Sequence, residues 1–400
     1  MDIILLSLSY IAIILLIGLL GSIISRKLKI PNLIILIGTG MILGYIKYQG
    51  QPLIQFSPLF LTGLAIITLA MVVFDSSSRF NFKKFDTLSA SALKLTGIFL
   101  LLNLIFLSVM TNYFFKPVSF LLALLFAAVV SGTDPSSILA ILGKIKAKPF
   151  ELLKIEAILN TPFIVLIPFL LIDIMKDITG STLEILSSQA LPFAQQFVVG
   201  IGTGILVGLI FFRFMKKYYS ATLSPVALII VALLSYIGSE VLGGNGVLSV
   251  TTSGILFGNL YHVKHMKSLL KFGELFAEIF EILVFVLIGT IIKIPWTSEF
   301  LIPASILFLV YLIIRFISIE ISFIESSYTL KEKLYMTLNI PKGIAIAVVI
   351  FTLATTEVVG IKPILDLILL FMIYSIIIST IVTHFSKFFT KIEVKIAKEQ

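Results

Sequence analysis

The chain has no cysteine, which excludes disulfides, thiolate metal sites and thiol chemistry without fixing a compartment. Charge is almost as scarce. Only 13% of the 400 residues are charged and 58% are hydrophobic, with a mean hydropathy of +1.13. An average soluble domain has about 25% charged residues, so a soluble fold is close to excluded. Apolar stretches of about 18 residues or more recur along the whole chain and leave no room for a sizeable soluble domain. Several sequence signatures are also missing. No Gly-rich segment ends in Lys-Ser/Thr, which leaves ATP-driven transport unsupported. No nucleophile-elbow or zinc-protease motif is present, which argues against an enzyme. His262 and His265 lie in a basic loop without neighbouring acids, a poor metal site and more simply a solvated pair or a pH-sensing one. Nothing calls for a cofactor.

What is present is a series of 13 apolar segments, separated at charged or Gly/Pro clusters: 3–24, 30–46, 56–77, 87–113, 118–142, 151–174, 189–212, 222–242, 246–262, 275–292, 300–324, 334–356 and 363–386. The first is too long for a signal-peptide core and lacks a basic start, so it reads as a span. The fold expected is an all-α integral membrane protein of about 13 transmembrane helices. Alternate loops differ sharply in basic residues, 22 on one side against 5 on the other. The positive-inside rule then places the N-terminus outside and the C-terminus in the cytoplasm of a cell-membrane protein. The net charge of +9 follows from this topology. Because the basic residues are spread over seven loops on one face, nucleic-acid binding is not indicated.

Asp134 stands inside the fifth segment and is followed directly by a proline, in Ser131-Gly132-Thr133-Asp134-Pro135. A carboxylate at mid-membrane costs several kcal/mol unless neutralised, paired or wetted. Pro135 removes a backbone donor and interrupts the helix there. The twelfth segment is interrupted at Asn339-Ile340-Pro341-Lys342-Gly343, with Pro341 and Gly343 as its breakers. At 1.5 Å per residue, Asp134, Asn160 and Lys342 lie about 14–15 Å from one face, near the midplane. Thirteen spans permit an inverted six-helix repeat, spans 1–6 against 8–13, in which span 5 corresponds to span 12. Corresponding interrupted helices point to a transporter's binding site.

These residues resemble the NhaP/NHE branch of the monovalent cation:proton antiporters. Thr133-Asp134-Pro135 is similar to that family's broken-helix motif, and Glu156-Ala157-Ile158-Leu159-Asn160-Thr161-Pro162 to its E-S-x-x-N-D stretch. Lys331 to Tyr335, then Ile340-Pro341-Lys342-Gly343, resembles its basic loop and the motif after it. Softer matches are Phe74-Asp75, Glu240 with Gly243 to Gly246, and Phe285 to Gly289. The resemblance spans the whole chain as a single exchanger domain. It implies an elevator-type homodimer in which residues 1–80 and 189–293 form scaffold and dimerisation helices. Residues 86–175 and 300–386 would form a moving core, with 387–400 a short cytoplasmic tail. Broken spans 5 and 12 would cross beside the ion site. Three positions depart from the pattern: Thr161 stands where the family has its ion-binding aspartate, Ala157 where it has serine, and Lys342 where it has arginine.

The expected function is exchange of protons for a monovalent cation, sodium first, with lithium or potassium as other cations. Hard cations prefer oxygen ligands, which Asp134, the Thr133 carbonyl, the Asn160 amide and the Thr161 hydroxyl would supply; no other metal is expected. Asp134 is read equally as coupling acid or as compensation for exposed helix ends. Glu156 and Lys342 are expected to form the buried ion pair of the core. Arg315, in span 11, is expected to pair with an acid such as Asp134 or Glu320, or to gate. Glu240 is read as the external mouth of the path or the end of span 8. Two other classes stand beside the antiporter: a non-exchanging relative acting as sensor or regulator, and an organic-anion carrier using Lys342 and Arg315.

Overall fold

The computed structural model describes residues 3–28, 31–48, 51–52, 54, 56–79, 87–116, 118–133, 148–176, 182–218, 220, 223–260, 266–324, 328–355 and 358–389. The helices are α1 Ile3–Leu28, α2 Asn32–Tyr45, α3 Pro58–Ser78, α4 Thr87–Leu102, α5 Ser108–Phe114, α6 Phe120–Val130, α7 Lys148–Lys176 and α8 Thr182–Lys217. They continue with α9 Leu223–Val241, α10 Gly246–Leu260, α11 Met266–Ile291, α12 Ser298–Ser322, α13 Leu330–Leu338, α14 Ile344–Ala354, α15 Lys362–His384 and the short α16 Ser386–Phe389. A π-helical turn, Asn103–Leu107, joins α4 to α5 without a break in direction of the chain into a loop. Outside the helices, a two-residue antiparallel ladder pairs Lys47 with Pro52 and Tyr48 with Gln51. That segment is too polar to extend either neighbouring helix.

Helices dominate because a chain this apolar must satisfy its backbone within each segment. Among the described residues, eight helices are long and apolar enough to cross a membrane. Their ends are set by local chemistry. Ser57 accepts a hydrogen bond from the Phe60 amide at the start of α3, where Pro58 takes the first helical position. Ser119 does the same for Leu122 on α6. Thr329 and Glu332 form a reciprocal capping box on α13.

Two of the short apolar helices are the halves of interrupted spans. α6 and α14 have 11 residues each, so each rises only about 16 Å, half of a bilayer core of about 30 Å. α6 gives way at Ser131, three residues before the expected breaker Asp134-Pro135, which lies outside the described residues. In the twelfth span, residues 339–343 are non-helical between α13 and α14, and Pro341 and Gly343 stand in that gap.

α4 packs on α7 and α12, α6 on α7 and α5, and α15 on α6, α13 and α14. A second set of contacts joins α2 with α11 and α10 with α3, α8 and α9. α14 touches both sets, through α7, α6 and α15 on one side and α3 and α11 on the other.

Close helix crossings rest on glycine. A methyl group added at Gly204 on α8 would lie 2.3 Å from the Ser249 carbonyl of α10. At Gly202, two residues earlier on the same helix, an added methyl group would have nothing within 4 Å among the described residues. Gly204→Val is therefore expected to cost about 1–3 kcal/mol by overpacking. Gly202→Ala should be neutral or stabilising by up to about 1 kcal/mol. Thermal unfolding of the detergent-solubilised protein separates the two, and equal midpoints would refute the crossing as described.

Candidate functional site

The site begins with a backbone problem. The last four carbonyls of any α-helix lack intrahelical partners, and α6 ends where water is scarce. All four are satisfied. Ser131 Oγ donates to Ala127 O at 2.6 Å, the Ser131 amide to Ala128 O at 3.3 Å, and the Gly132 amide to Val129 O at 3.4 Å. The fourth, Val130 O, accepts from Lys342 Nζ. The ammonium also donates to Gly132 O and to the Tyr311 hydroxyl, both at 2.5 Å. Three donors thus meet three acceptors, the full capacity of a protonated lysine. A cation here also opposes the negative end of the helix macrodipole.

This arrangement corrects the expected Glu156–Lys342 pair. Glu156 is instead held by Arg315, with Nη1 to Oε1 at 2.5 Å and Nη2 to Oε2 at 2.6 Å. Both side chains are essentially inaccessible, at 0% and 1%. The physical reason is shape. The planar guanidinium presents two parallel N–H groups that match a carboxylate, whereas the compact ammonium suits converging carbonyls. Phe99 supports the arginine from below, its ring centre 4.7 Å from the guanidinium carbon. Arg315 therefore does not pair with Glu320, and its expected pairing with Asp134 lies outside the described residues. Glu320 binds Lys333 at 2.7 Å, a partly exposed contact between α12 and α13.

On the other side of the break, Asn160 Nδ2 donates to Thr133 Oγ1 at 2.7 Å. Thr133 and Asn160 are buried, and Asn160 Oδ1 has no hydrogen-bond partner among the described residues. Thr161 lies on α7 beside Asn160, but its side chain, like Asp134 and Pro135, falls outside the described residues, as do His262 and His265. Among the described residues no group of three or more His, Cys, Asp or Glu gathers as a metal site. Glu240 caps a helix: its Oε1 accepts the Gly246 amide at 2.8 Å, at the first residue of α10. The turn between them passes through Gly243, whose φ of 73° favours glycine.

The sequence did not single out Tyr311, Asn103 or the clasp around Asn339. Asn339 Nδ2 donates to Tyr335 Oη at 2.6 Å and to Thr383 Oγ1 at 3.1 Å, and Ser379 Oγ donates to Asn339 Oδ1. This clasp ties the start of the second break to α15. Tyr311 had one signal available, its position one helical turn before Arg315.

Deleting one member of the Glu156–Arg315 pair leaves a buried charge uncompensated, which costs about 3–5 kcal/mol. Arg315→Met and Glu156→Leu are each expected to lower the thermal midpoint sharply. The double variant Glu156→Leu/Arg315→Met should recover much of the loss, since paired apolar replacements are often close to neutral. Additive losses in that cycle would refute the pairing.

Comparison with known proteins gives a consistent picture. The family model described as "Sodium/hydrogen exchanger, transmembrane" matches residues 11–387. A probable Na(+)/H(+) antiporter 2 of Methanocaldococcus jannaschii is 24% identical over 362 residues, covering 85% of this chain and 83% of that protein. A K(+)/H(+) antiporter NhaP of Alkalimonas amylolytica is 22% identical, covering 84% of this chain and 58% of its own length. Among solved structures, the sodium proton antiporter MjNhaP1 from Methanocaldococcus jannaschii at pH 8 superposes with a TM-score of 0.77 at 19% identity. That match covers 96% of this chain and 98% of the other.

Proposed function

Because the chain belongs to the sodium/hydrogen exchanger family, we propose that it exchanges protons for a monovalent cation, sodium first, at the crossing of its two interrupted spans. The observation that carries this is the buried Thr133–Asn160 pair with an unpartnered amide oxygen. It supplies hard, neutral oxygens beside the chain break, the donor type that small alkali cations prefer. Asp134 adjoins Thr133 in sequence and is the carboxylate assigned to alternate between proton and cation. With Thr161 in place of a second acid, one charge serves both, and exchange is one-for-one and electroneutral.

Elevator motion is supported by the packing. α4, α6 and α7 associate with α12, α13 and α15, and α2, α3 and α8 to α11 form a second set; α7 touches α3 and α10, and α14 touches both sets. The first set is assigned as the moving core and the second as scaffold of a homodimer in the cell membrane, with the C-terminus cytoplasmic. The inverted repeat relating spans 5 and 12 belongs to the same proposal. Curated relatives carry both sodium and potassium in their names, so the cation is the open arm of the test.

A second reading is favoured by Thr161 itself: a folded relative that no longer exchanges and acts as sensor or regulator. The organic-anion carrier loses its support, since Arg315 is matched by Glu156 and all three Lys342 donors are engaged.

Proteoliposomes given sodium, lithium or potassium gradients decide between these. Cation-driven proton flux in wild type, lost in Asp134→Asn, is the expected outcome. No flux in wild type but flux in Thr161→Asp would overturn exchange in favour of the second reading.

A further inference from the structure

The π-helical turn Asn103–Leu107 interrupts the long helical run 87–114 at mid-depth, and no proline or glycine accounts for it. Such turns occur mostly as single bulges and frequently at functional sites. Its first residue, Asn103, is fully buried and faces the broken span. Asn103 Nδ2 donates to Ser131 Oγ at 3.0 Å. Ser131 spends its own proton on Ala127 O, so its oxygen acts as acceptor toward the amide. That fixes which end of the Asn103 amide points at Ser131. The opposite end, Oδ1, is buried without a partner among the described residues.

Ser131 lies between the two carbonyls, Val130 O and Gly132 O, that hold Lys342. The position of Ser131 therefore sets where both carbonyls point. Asn103 is the side chain that reaches it from a different helix. One turn earlier on the same face, Phe99 carries the guanidinium of Arg315. α4 and its wide turn thus touch both charge systems of the core, the Glu156–Arg315 pair and the Lys342 cap.

We propose that Asn103 is a positioning residue for cation–proton exchange: through Ser131 it fixes the carboxyl end of α6 and the carbonyls that hold Lys342. The role rests on the exchange activity proposed above, whereas the Asn103–Ser131–α6 linkage stands independently of it. If Asn103 acts through Ser131, removing Ser131 costs at least as much as removing Asn103, since Ala127 O also loses its donor, and removing both adds little to the Ser131 loss. Residues in one hydrogen-bonded network behave in this non-additive way.

The test uses the full chain with Asn103→Ala, Ser131→Ala, the double variant and Ser131→Thr. In proteoliposomes, each alanine variant is expected to raise the cation KM about fivefold, the factor carried by one ordinary hydrogen bond. The pH profile should shift with it, because Lys342 loses its fixed acceptors. The double variant should match Ser131→Ala, and Ser131→Thr, which keeps the hydroxyl, should behave as wild type. Hydrogen–deuterium exchange across residues 127–133 gives a readout free of transport, and both alanine variants should exchange faster there. Faster exchange with wild-type protein inactive in transport would retain the linkage and overturn the exchange reading. Active wild type with unchanged KM and pH profile in the variants would overturn the positioning role, whether or not stability falls. Additive losses in the double variant would do the same, because they mean the two side chains act separately.

Discussion

A helix that stops inside a bilayer leaves carbonyls that water cannot reach, and the core of this protein is arranged around that constraint at Val130. Each unsatisfied polar group in such surroundings costs several kcal/mol. The solution draws on two distant parts of the chain. Ser131 closes the helix locally, while Lys342 arrives from the gap of another interrupted span more than 200 residues later. The second gap therefore supplies what the first one lacks. Interrupting span 12 at residues 339–343 also frees the backbone that carries Lys342 to the α6 terminus. The Asn339 clasp to Tyr335, Ser379 and Thr383 then anchors that free stretch to α15.

Two buried cations at similar depth could have competed for one carboxylate, and their chemistry separates them. Arg315 takes Glu156 in a two-pronged contact and rests on Phe99. Lys342 takes neutral oxygens, of which a helix end offers a converging set. Exchanging the two would leave the carboxylate with a single-point contact and the carbonyls facing a flat fork too wide to converge on them. Tyr311 lies between the systems: its hydroxyl accepts from Lys342 and its ring lies 5.5 Å from Phe99. The two cations are thus coupled through aromatic packing as well as through charge.

The all-helical membrane fold, the interruption at residues 339–343 and the family could be read from the sequence, because hydropathy, proline and motif order are one-dimensional signals. Thr133 beside Asn160 also followed from depth and spacing. Partner choice did not. Depth arithmetic places Asn160 and Lys342 at one level, with Glu156 on the same helix as Asn160, but carries no information on which way each helix is rotated, and the wrong pair was expected. Glu240 ends its span, as one of its two readings had it, but its capping role was not legible. Its cap spans six residues through a glycine turn, a loop geometry that helix periodicity does not encode. The π-helical turn at Asn103 has no breaker residue to mark it, so only the fold reveals it.

The charge balance of the core bears on what Thr161 does to the proposed exchange. Glu156 and Arg315 cancel, leaving the Lys342 ammonium opposed by the end of α6, equivalent to roughly half a negative charge. A monovalent cation entering among the neutral oxygens of Thr133 and Asn160 would add to a net positive layer unless an ionised acid accompanied it. In spans 5 and 6 the other acids are Glu151 and Asp173 toward the ends of α7, and Glu156, already spent on Arg315. Asp134 is left as the acid at that depth. With an aspartate at position 161 the layer would hold two such charges and could carry a proton and a cation together. With threonine there, the proposed site holds one or the other. The substitution therefore trades charge capacity for strict alternation, provided Lys342 stays protonated and held where the α6 carbonyls keep it.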